Sequence, residues 1–302
     1  MMAILVNRHS QIVIQGITGR EASMVTRHTL AYGTRIVAGV TPGKGGQEVC
    51  GVPVHDTLAA ACRYHRIDTA VTYVPPAFVY DAVAEAVACG IRFAFIPTEN
   101  VPRHDAMKLL ALARRAGVRV VGPNSVGIIS PGERVKLGAI GGDNPERCFL
   151  PGPVGVISRS GGMTAELAWM VKRAGFGVST AVSIGGDALI GSTPRDLLQM
   201  FQADPETRVV VMFGEPGTTL EEEAADFVEQ GGFTKPLVGF VAGRFVEELP
   251  EETVFGHAAA LISGKVGRPS AKISRLREAG ALVAEDFEDL IPLVREAMGR
   301  AG

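Results

Sequence analysis

Short runs of Val, Ile and Ala alternate along the chain with amphipathic segments of helical length. Strand-length apolar runs each followed by a helical stretch predict parallel strands joined by crossover helices. Strands are expected at Gln11 to Gln15, Arg35 to Val40, Thr69 to Val74, Arg92 to Ile96 and Val118 to Val121, with helices at Arg20 to Tyr32, Leu58 to Tyr64, Ala77 to Ala88 and Asp105 to Ala116. From Gly122 to Gly152 the periodicity gives way to Gly and Pro, as in a connection or a long functional loop. The alternation resumes with a strand at Val154 to Ser158, a helix at Thr164 to Ala174 and a strand at Ser179 to Ile184. Thr193-Pro194 opens the next helix, because proline at the first helical position fixes φ and needs no N–H there. Strands at Arg208 to Phe213 and Leu237 to Val241 follow, then a loop to His257 and a closing helix, strand and helix. The class is α/β with mainly parallel sheets. At 302 residues the chain exceeds one ordinary core, and the pattern divides it into 1–130, a connecting loop over 131–152, and 153–302.

Composition narrows the function. Hydrophobic residues at 46% and charged residues at 21% suit a chain that buries a core. A net charge of -2 provides no positive field to hold a nucleic acid or an anionic membrane surface. No apolar run approaches the roughly 18 residues of a membrane span. Met1 to Asn7 has neither the basic region nor the apolar stretch of a signal peptide, so a cytoplasmic location is expected. Cys50, Cys62, Cys89 and Cys148 lack the paired spacing of a zinc site, and no metal is expected.

Two glycine-rich turns carry the candidate chemistry. Gly16-Ile17-Thr18-Gly19, between a strand and a helix, brings backbone N–H groups and a helix N-terminus to a place where a phosphate can sit. A plain turn has the same spacing, so both readings stand. A dinucleotide site of the NAD type would place an acid at the end of the second strand, but Thr41-Pro42-Gly43-Lys44-Gly45-Gly46 stands there. Lys44 suits a phosphate, such as the 3′-phosphate of coenzyme A, rather than a diol; an exposed loop lysine is the alternative. Ser158-Arg159-Ser160-Gly161-Gly162-Met163 offers a second helix N-terminus without the lysine of a Walker loop. A phosphate held there could be one attached to the protein. Five of the six histidines lie in the first 104 residues, leaving His257 alone in the second half among small neighbours that leave room on its ring. It is either structural or a nucleophile. Glu215 is either a solvated loop acid or the group that accepts one imidazole N–H and frees the other nitrogen for attack.

Across nearly its whole length the chain resembles the α subunit of succinyl-CoA synthetase and its relatives. The matching stretches are Gln15 to Gly19, Gly39 to Gly46, Gly122-Pro123-Asn124, Ser158 to Gly161, Ile184-Gly185-Gly186-Asp187 and Gly256-His257-Ala258. The resemblance implies an N-terminal Rossmann-like CoA-binding domain followed by a flavodoxin-like ligase domain. It implies that Gly16, Thr18, Gly19, Arg20, Glu21, Lys44, Pro97, Thr98 and Glu99 bind coenzyme A. His257 becomes the phosphorylated histidine, Glu215 its partner, and Ser160, Gly161 and Gly162 the phosphate cradle. Phosphate passes from ATP or GTP to the histidine, then to a small carboxylic acid, and CoA displaces it. The implied partner is a β subunit whose ATP-grasp domain holds the nucleotide with Mg2+.

The chain departs from the succinate pattern where a tyrosine of the family's Ser-Gly-Thr-Leu-Thr-Tyr-Glu run is replaced by Ala165. That change predicts a substrate pocket open to a bulkier acid. Ser158 to Met163 and Gly141-Gly142 resemble the citryl-CoA-forming part of ATP-citrate lyase, so citryl-CoA and malyl-CoA formation are alternatives. A non-catalytic CoA-binding protein of the same descent is a third reading.

Overall fold

The computed structural model describes residues 3–249, 257, 259–260, 262 and 266–301. Gly256 and Ala258 of the expected histidine stretch, and Met1 and Met2 of the N-terminal segment, lie outside the described residues.

The first unit runs β1 (Ile12–Gln15), α1 (Arg20–Tyr32), β2 (Ile36–Val40), β3 (Glu48–Val49), β4 (Val52–His55), α2 (Leu58–Tyr64), β5 (Thr69–Thr72), α3 (Val79–Ala88), β6 (Phe93–Phe95), α4 (Arg103–Ala116) and β7 (Arg119–Val121). Its sheet has the order β3-β4-β2-β1-β5-β6-β7, parallel except for β3 against β4. Without the short β3, this is the doubly wound Rossmann order, with its switch point between β1 and β5. Buried on both faces, the strands read as short runs rich in apolar residues, which is why they were legible in the sequence. Helices α1 and α4 stop at Gly33 and Gly117, both at positive φ, where a side chain would be strained.

The second unit contains β8 (Gly127–Ser130), β9 (Val135–Gly138), β10 (Pro151–Ser158), α5 (Gly161–Arg173), β11 (Val178–Ser183), α6 (Pro194–Ala203), β12 (Val209–Gly214), α7 (Leu220–Glu229), β13 (Leu237–Val241), α8 (Pro269–Glu278), β14 (Leu282–Val283) and α9 (Leu290–Arg300). Its sheet has the order β14-β13-β12-β10-β11-β8-β9. The five parallel strands take the flavodoxin order, with the switch point between β10 and β12. α6 opens at Thr193-Pro194, as the sequence predicted, and Thr193 caps it in a reciprocal box with Asp196.

The structure corrects the expected boundary. Residues 127–130, assigned to the first unit, and residues 131–138 of the supposed connecting loop form the β8–β9 hairpin, which pairs antiparallel with β11 in the second sheet. The hairpin also clasps the first unit: Thr34 Oγ1 donates to the Lys136 carbonyl at 3.0 Å and accepts from its N–H at 2.9 Å. The largest buried cluster is continuous across both units, joining Ile14, Phe95 and Val121 to Ile128, Leu137 and Ile157. Helix α7 also went unread, because its three consecutive glutamates interrupt the apolar stripe. Among the described residues, no helix is long and apolar enough to cross a membrane.

Candidate functional site

At the first switch point, the turn after β1 passes directly over the end of β5. A Cβ on Gly16 would lie 1.9 Å from the Tyr73 carbonyl oxygen, and its φ of +80° is in the region glycine alone adopts freely. Thr18 Oγ1 donates to Thr41 Oγ1 at 3.2 Å, joining this turn to the one after β2. Gly19 opens α1 without a side-chain cap, which leaves the helix's first N–H groups available, while Arg20 and Glu21 stand exposed on the first turn. Lys44 lies in the exposed turn after β2, where its N–H donates to the Thr41 carbonyl at 3.1 Å and Asp56 Oδ1 accepts the Gly45 N–H at 2.9 Å. Pro97, Thr98 and Glu99 follow β6, and the Thr98 hydroxyl is held by the carbonyls of Thr72 and Val74.

At the second switch point, β10 ends in Ser158 and β12 ends in Gly214, so Arg159-Ser160 and Glu215 leave neighbouring strands side by side. Ser160 caps α5 by accepting the Met163 N–H at 3.4 Å. Gly161 and Gly162, in the first turn, keep N–H groups with no intrahelical acceptor. His257 Nδ1 is 2.6 Å from Glu215 Oε2, across 42 residues of sequence. Glu215 is itself placed by its own N–H, which Glu221 accepts at 3.2 Å; Glu221 is in turn bound by the buried Lys272. The Glu215 hydrogen bond raises the His257 pKa above its ordinary value, outweighing the lowering by burial, with smaller opposing effects from Arg159 and Asp187. Hydrogen bonds to a charged group contribute about 1.5–3 kcal/mol, which is enough for this one to dominate a half-buried ring. An ionised carboxylate can only accept, so Nδ1 donates to Glu215 and Nε2 is the nitrogen left to carry the lone pair.

The ring lies against Gly186, where a Cβ would fall 2.3 Å from His257 Cδ2. Only glycine lets the imidazole pack so closely on the loop after β11. Asn124 Nδ2 donates to Asp187 Oδ1 at 3.0 Å, fastening that loop to the segment before β8.

Three neighbouring cavities with shared lining residues lie between the two switch points. The first, about 660 Å³, runs from Gly16 and Thr41 to Tyr73. The second, about 500 Å³, shares Gly19, Tyr73 and Pro75 with it and continues past Glu21 to Glu99. The third, about 340 Å³, shares Glu21, Tyr73, Pro97 and Glu99 with the second and ends at Arg159, Ser160, Gly161, Gly162 and His257. Expected residues from both units therefore line one track. Lys44 is outside it, beyond the Thr41-Pro42 rim. Ala165, one turn into α5, is half-buried against the second unit's core and is not among the residues lining the third cavity. The sequence reading gave no role to Tyr73, Asn124 or Arg159, although a lone charge ending the apolar β10 was a visible signal for the last. Among the described residues no group of three or more His, Cys, Asp or Glu side chains could hold a metal ion.

Residues 7–100 match the CoA binding domain family and residues 157–282 the CoA-ligase family. The sequence is 43% identical to succinate–CoA ligase [ADP-forming] subunit alpha 1 of Archaeoglobus fulgidus, over 98% of this chain and 99% of the relative. It is 41% identical to ADP-forming sulfoacetate-CoA ligase subunit SqwL of an Acholeplasma species, over 94% of each. Among solved structures, ATP citrate lyase from Methanothrix soehngenii, in complex with citrate and coenzyme A, matches with a TM-score of 0.90 at 26% identity. That match covers 99% of this chain and 51% of the other, so the chain spans about half the length of that structure.

Proposed function

We propose, since the chain belongs to the family of α subunits of ADP-forming CoA ligases, that it joins a small carboxylic acid to coenzyme A through a phosphate carried on His257. The observation that supports this most directly is the continuous track from the Gly16 turn to the His257 ring. Coenzyme A fits its first two cavities, with its phosphates at the Gly16 to Glu21 turn and near Lys44, and its thiol passing Pro97 to Glu99 toward the histidine. The acid enters the third cavity.

His257 Nε2 attacks the terminal phosphorus of ATP or GTP; the N–P bond forms as the P–O bond breaks, and the nucleoside diphosphate leaves with the electron pair. Glu215 accepts the Nδ1–H throughout, so the ring attacks in one orientation and its developing positive charge is balanced. The Gly161 and Gly162 N–H groups, at the positive end of α5, face the phosphoryl oxygens. A carboxylate oxygen of the acid then takes the phosphoryl group, returning the lone pair to Nε2. The CoA sulfur, as thiolate, attacks the acyl carbon and phosphate departs.

The chain's relatives are named as subunits, which supports a β partner; an ATP-grasp domain on that partner supplies the nucleotide with Mg2+. Their named acids, succinate and sulfoacetate, both carry a second anionic group, and we assign this chain an acid of that class. The His257–Glu215 contact favours this reading over a non-catalytic CoA-binding protein, which has no use for a nucleophile held in one tautomer.

The test is labelling with γ-phosphate-radiolabelled ATP or GTP in the presence of the cognate β chain. We expect an alkali-stable, acid-labile label on the wild type and none on His257→Asn, with CoA affinity equal in the two. Succinate, sulfoacetate, malate and citrate are then compared for discharge of the label. No label with a competent partner would refute the phosphohistidine.

A further inference from the structure

Three cationic side chains are buried among the described residues: Lys136, Arg159 and Lys272. They differ in how their charge is met. Lys272 has Glu221 Oε2 at 2.5 Å and Glu222 Oε2 at 2.8 Å. Lys136 donates to the carbonyls of Ile140 and Gly142, and burial pushes its ammonium down to about 8, so release of a proton is within reach. Arg159 has neither outlet. An arginine does not deprotonate in a protein, and among the described residues Arg159 has no carboxylate partner. It is 1% exposed. Its hydrogen bonds are long ones to neutral oxygens: Thr218 Oγ1 at 3.4 Å, the Gly186 carbonyl at 3.2 Å and the Asp187 carbonyl at 3.3 Å. Its buried Nε has no hydrogen-bond partner among the described residues. A guanidinium withdrawn from water without a counter-ion is strongly unfavourable, and a fold that keeps one holds a ready anion site.

The site faces the chemistry. Arg159 lines the same cavity as His257 and the first turn of α5. Gly186 lies between the two side chains: its carbonyl accepts from Arg159 Nη2, and a Cβ on it would fall 2.7 Å from His257 Nε2. Guanidinium and attacking nitrogen thus flank one glycine.

We propose that Arg159 is a catalytic residue whose guanidinium is the built-in counter-ion of the phosphoryl group while it is transferred to and from His257 Nε2. This rests on the reading of His257 as the phosphate carrier. The Nε2–P bond forms as the bond from phosphorus to the diphosphate oxygen breaks. Arg159 gives and takes no proton; it balances the charge on the non-transferring oxygens, alongside the Gly161 and Gly162 N–H groups. Before transfer, the same charge opposes protonation of His257 and helps keep the Nε2 lone pair free.

The test is rapid-quench labelling of His257 across pH, in the complex with the β chain, for wild type, Arg159→Met, Arg159→Gln and Arg159→Lys. Arg159→Met and Arg159→Gln should label about 100-fold more slowly, as when a charge-stabilising donor is removed from an active site. Arg159→Lys should fall between, because an ammonium restores charge without the planar fork. CoA affinity should not change. The acid limb of the rate should also move to higher pH in the two neutral variants, which a packing role alone would not produce. Arg159→Gln keeps an N–H donor for the Gly186 carbonyl, so it carries the test if Arg159→Met fails to fold. A neutral variant that labels within about threefold of the wild type, with an unmoved acid limb, overturns the inference. So does unchanged labelling with a raised KM for the acid, which would make Arg159 a reader of the substrate carboxylate. A wild type that takes no label overturns the phosphohistidine reading and this inference together.

Discussion

The turn after β1 and the turn after β10 each bring a helix N-terminus to the switch point of a parallel sheet, but they are furnished in opposite ways. Around the first, Arg20, Glu21 and Lys44 are exposed and Gly19 provides no side-chain cap. Around the second, Ser160 caps the helix, Arg159 is buried and a half-buried histidine is bonded to a largely buried glutamate. Exposed charges cost little to maintain and interact weakly, which suits a ligand that must come and go. Buried, preorganised charges are stronger in a low dielectric and need no rearrangement at the moment of reaction, which suits bond making. On the proposed function, the first turn would bind by shape and the second react by charge.

Reciprocal glycine substitutions should break this contrast most sharply. Gly186→Ala places a methyl group on the His257 ring, and a displacement of roughly 1 Å can slow transfer about 100-fold. Labelling should collapse while CoA affinity holds. Gly16→Ala should do the reverse, because its Cβ collides with the Tyr73 carbonyl; overpacking of about 1–3 kcal/mol corresponds to a roughly 5- to 150-fold weaker CoA Kd by calorimetry. If either variant lowers both functions equally, the division of labour is wrong.

Removal of the carboxylate in Glu215→Gln should slow labelling about 10- to 100-fold, as loss of an orienting partner does. It should also shift the pH dependence. Glu215 raises the His257 pKa, and only the deprotonated Nε2 attacks, so the wild-type rate climbs with pH through a value above the usual 6.5 or so. In Glu215→Gln that midpoint should fall toward the ordinary histidine value. The stability gained from the pair runs the opposite way with pH: it is complete below the unfolded pKa and is lost as pH rises through the folded one. An acid limb that stays in place would show that Glu215 does not set this ionisation.

The smallest effect is expected at Lys44. It is an exposed residue outside the cavity rim, and Lys44→Ala should weaken CoA binding by about fivefold, on the order of 1 kcal/mol, more at low salt than at high, without changing the labelling rate. An unchanged affinity at low salt would remove Lys44 from the CoA site.

The residues left the roles of His257 and Glu215 open and the pair came from the family resemblance, whereas the alternation of strands and helices and the two glycine turns were legible in the residues themselves. Each rests on local pattern: strands buried on both faces show as apolar runs, and a strand, a glycine turn and a helix show as consecutive segments. The β8–β9 hairpin was not legible, because Gly127 to Gly138 is a short Gly-, Pro- and charge-containing segment whose strand character comes from pairing with β11, some 50 residues away. The 2.6 Å approach of His257 to Glu215 and the burial of Arg159 with no carboxylate partner among the described residues were likewise decided only by the tertiary structure. Pattern along a chain records which way a residue's own element faces. Which groups meet at a switch point depends on strand order, and strand order is fixed by packing between segments far apart in sequence.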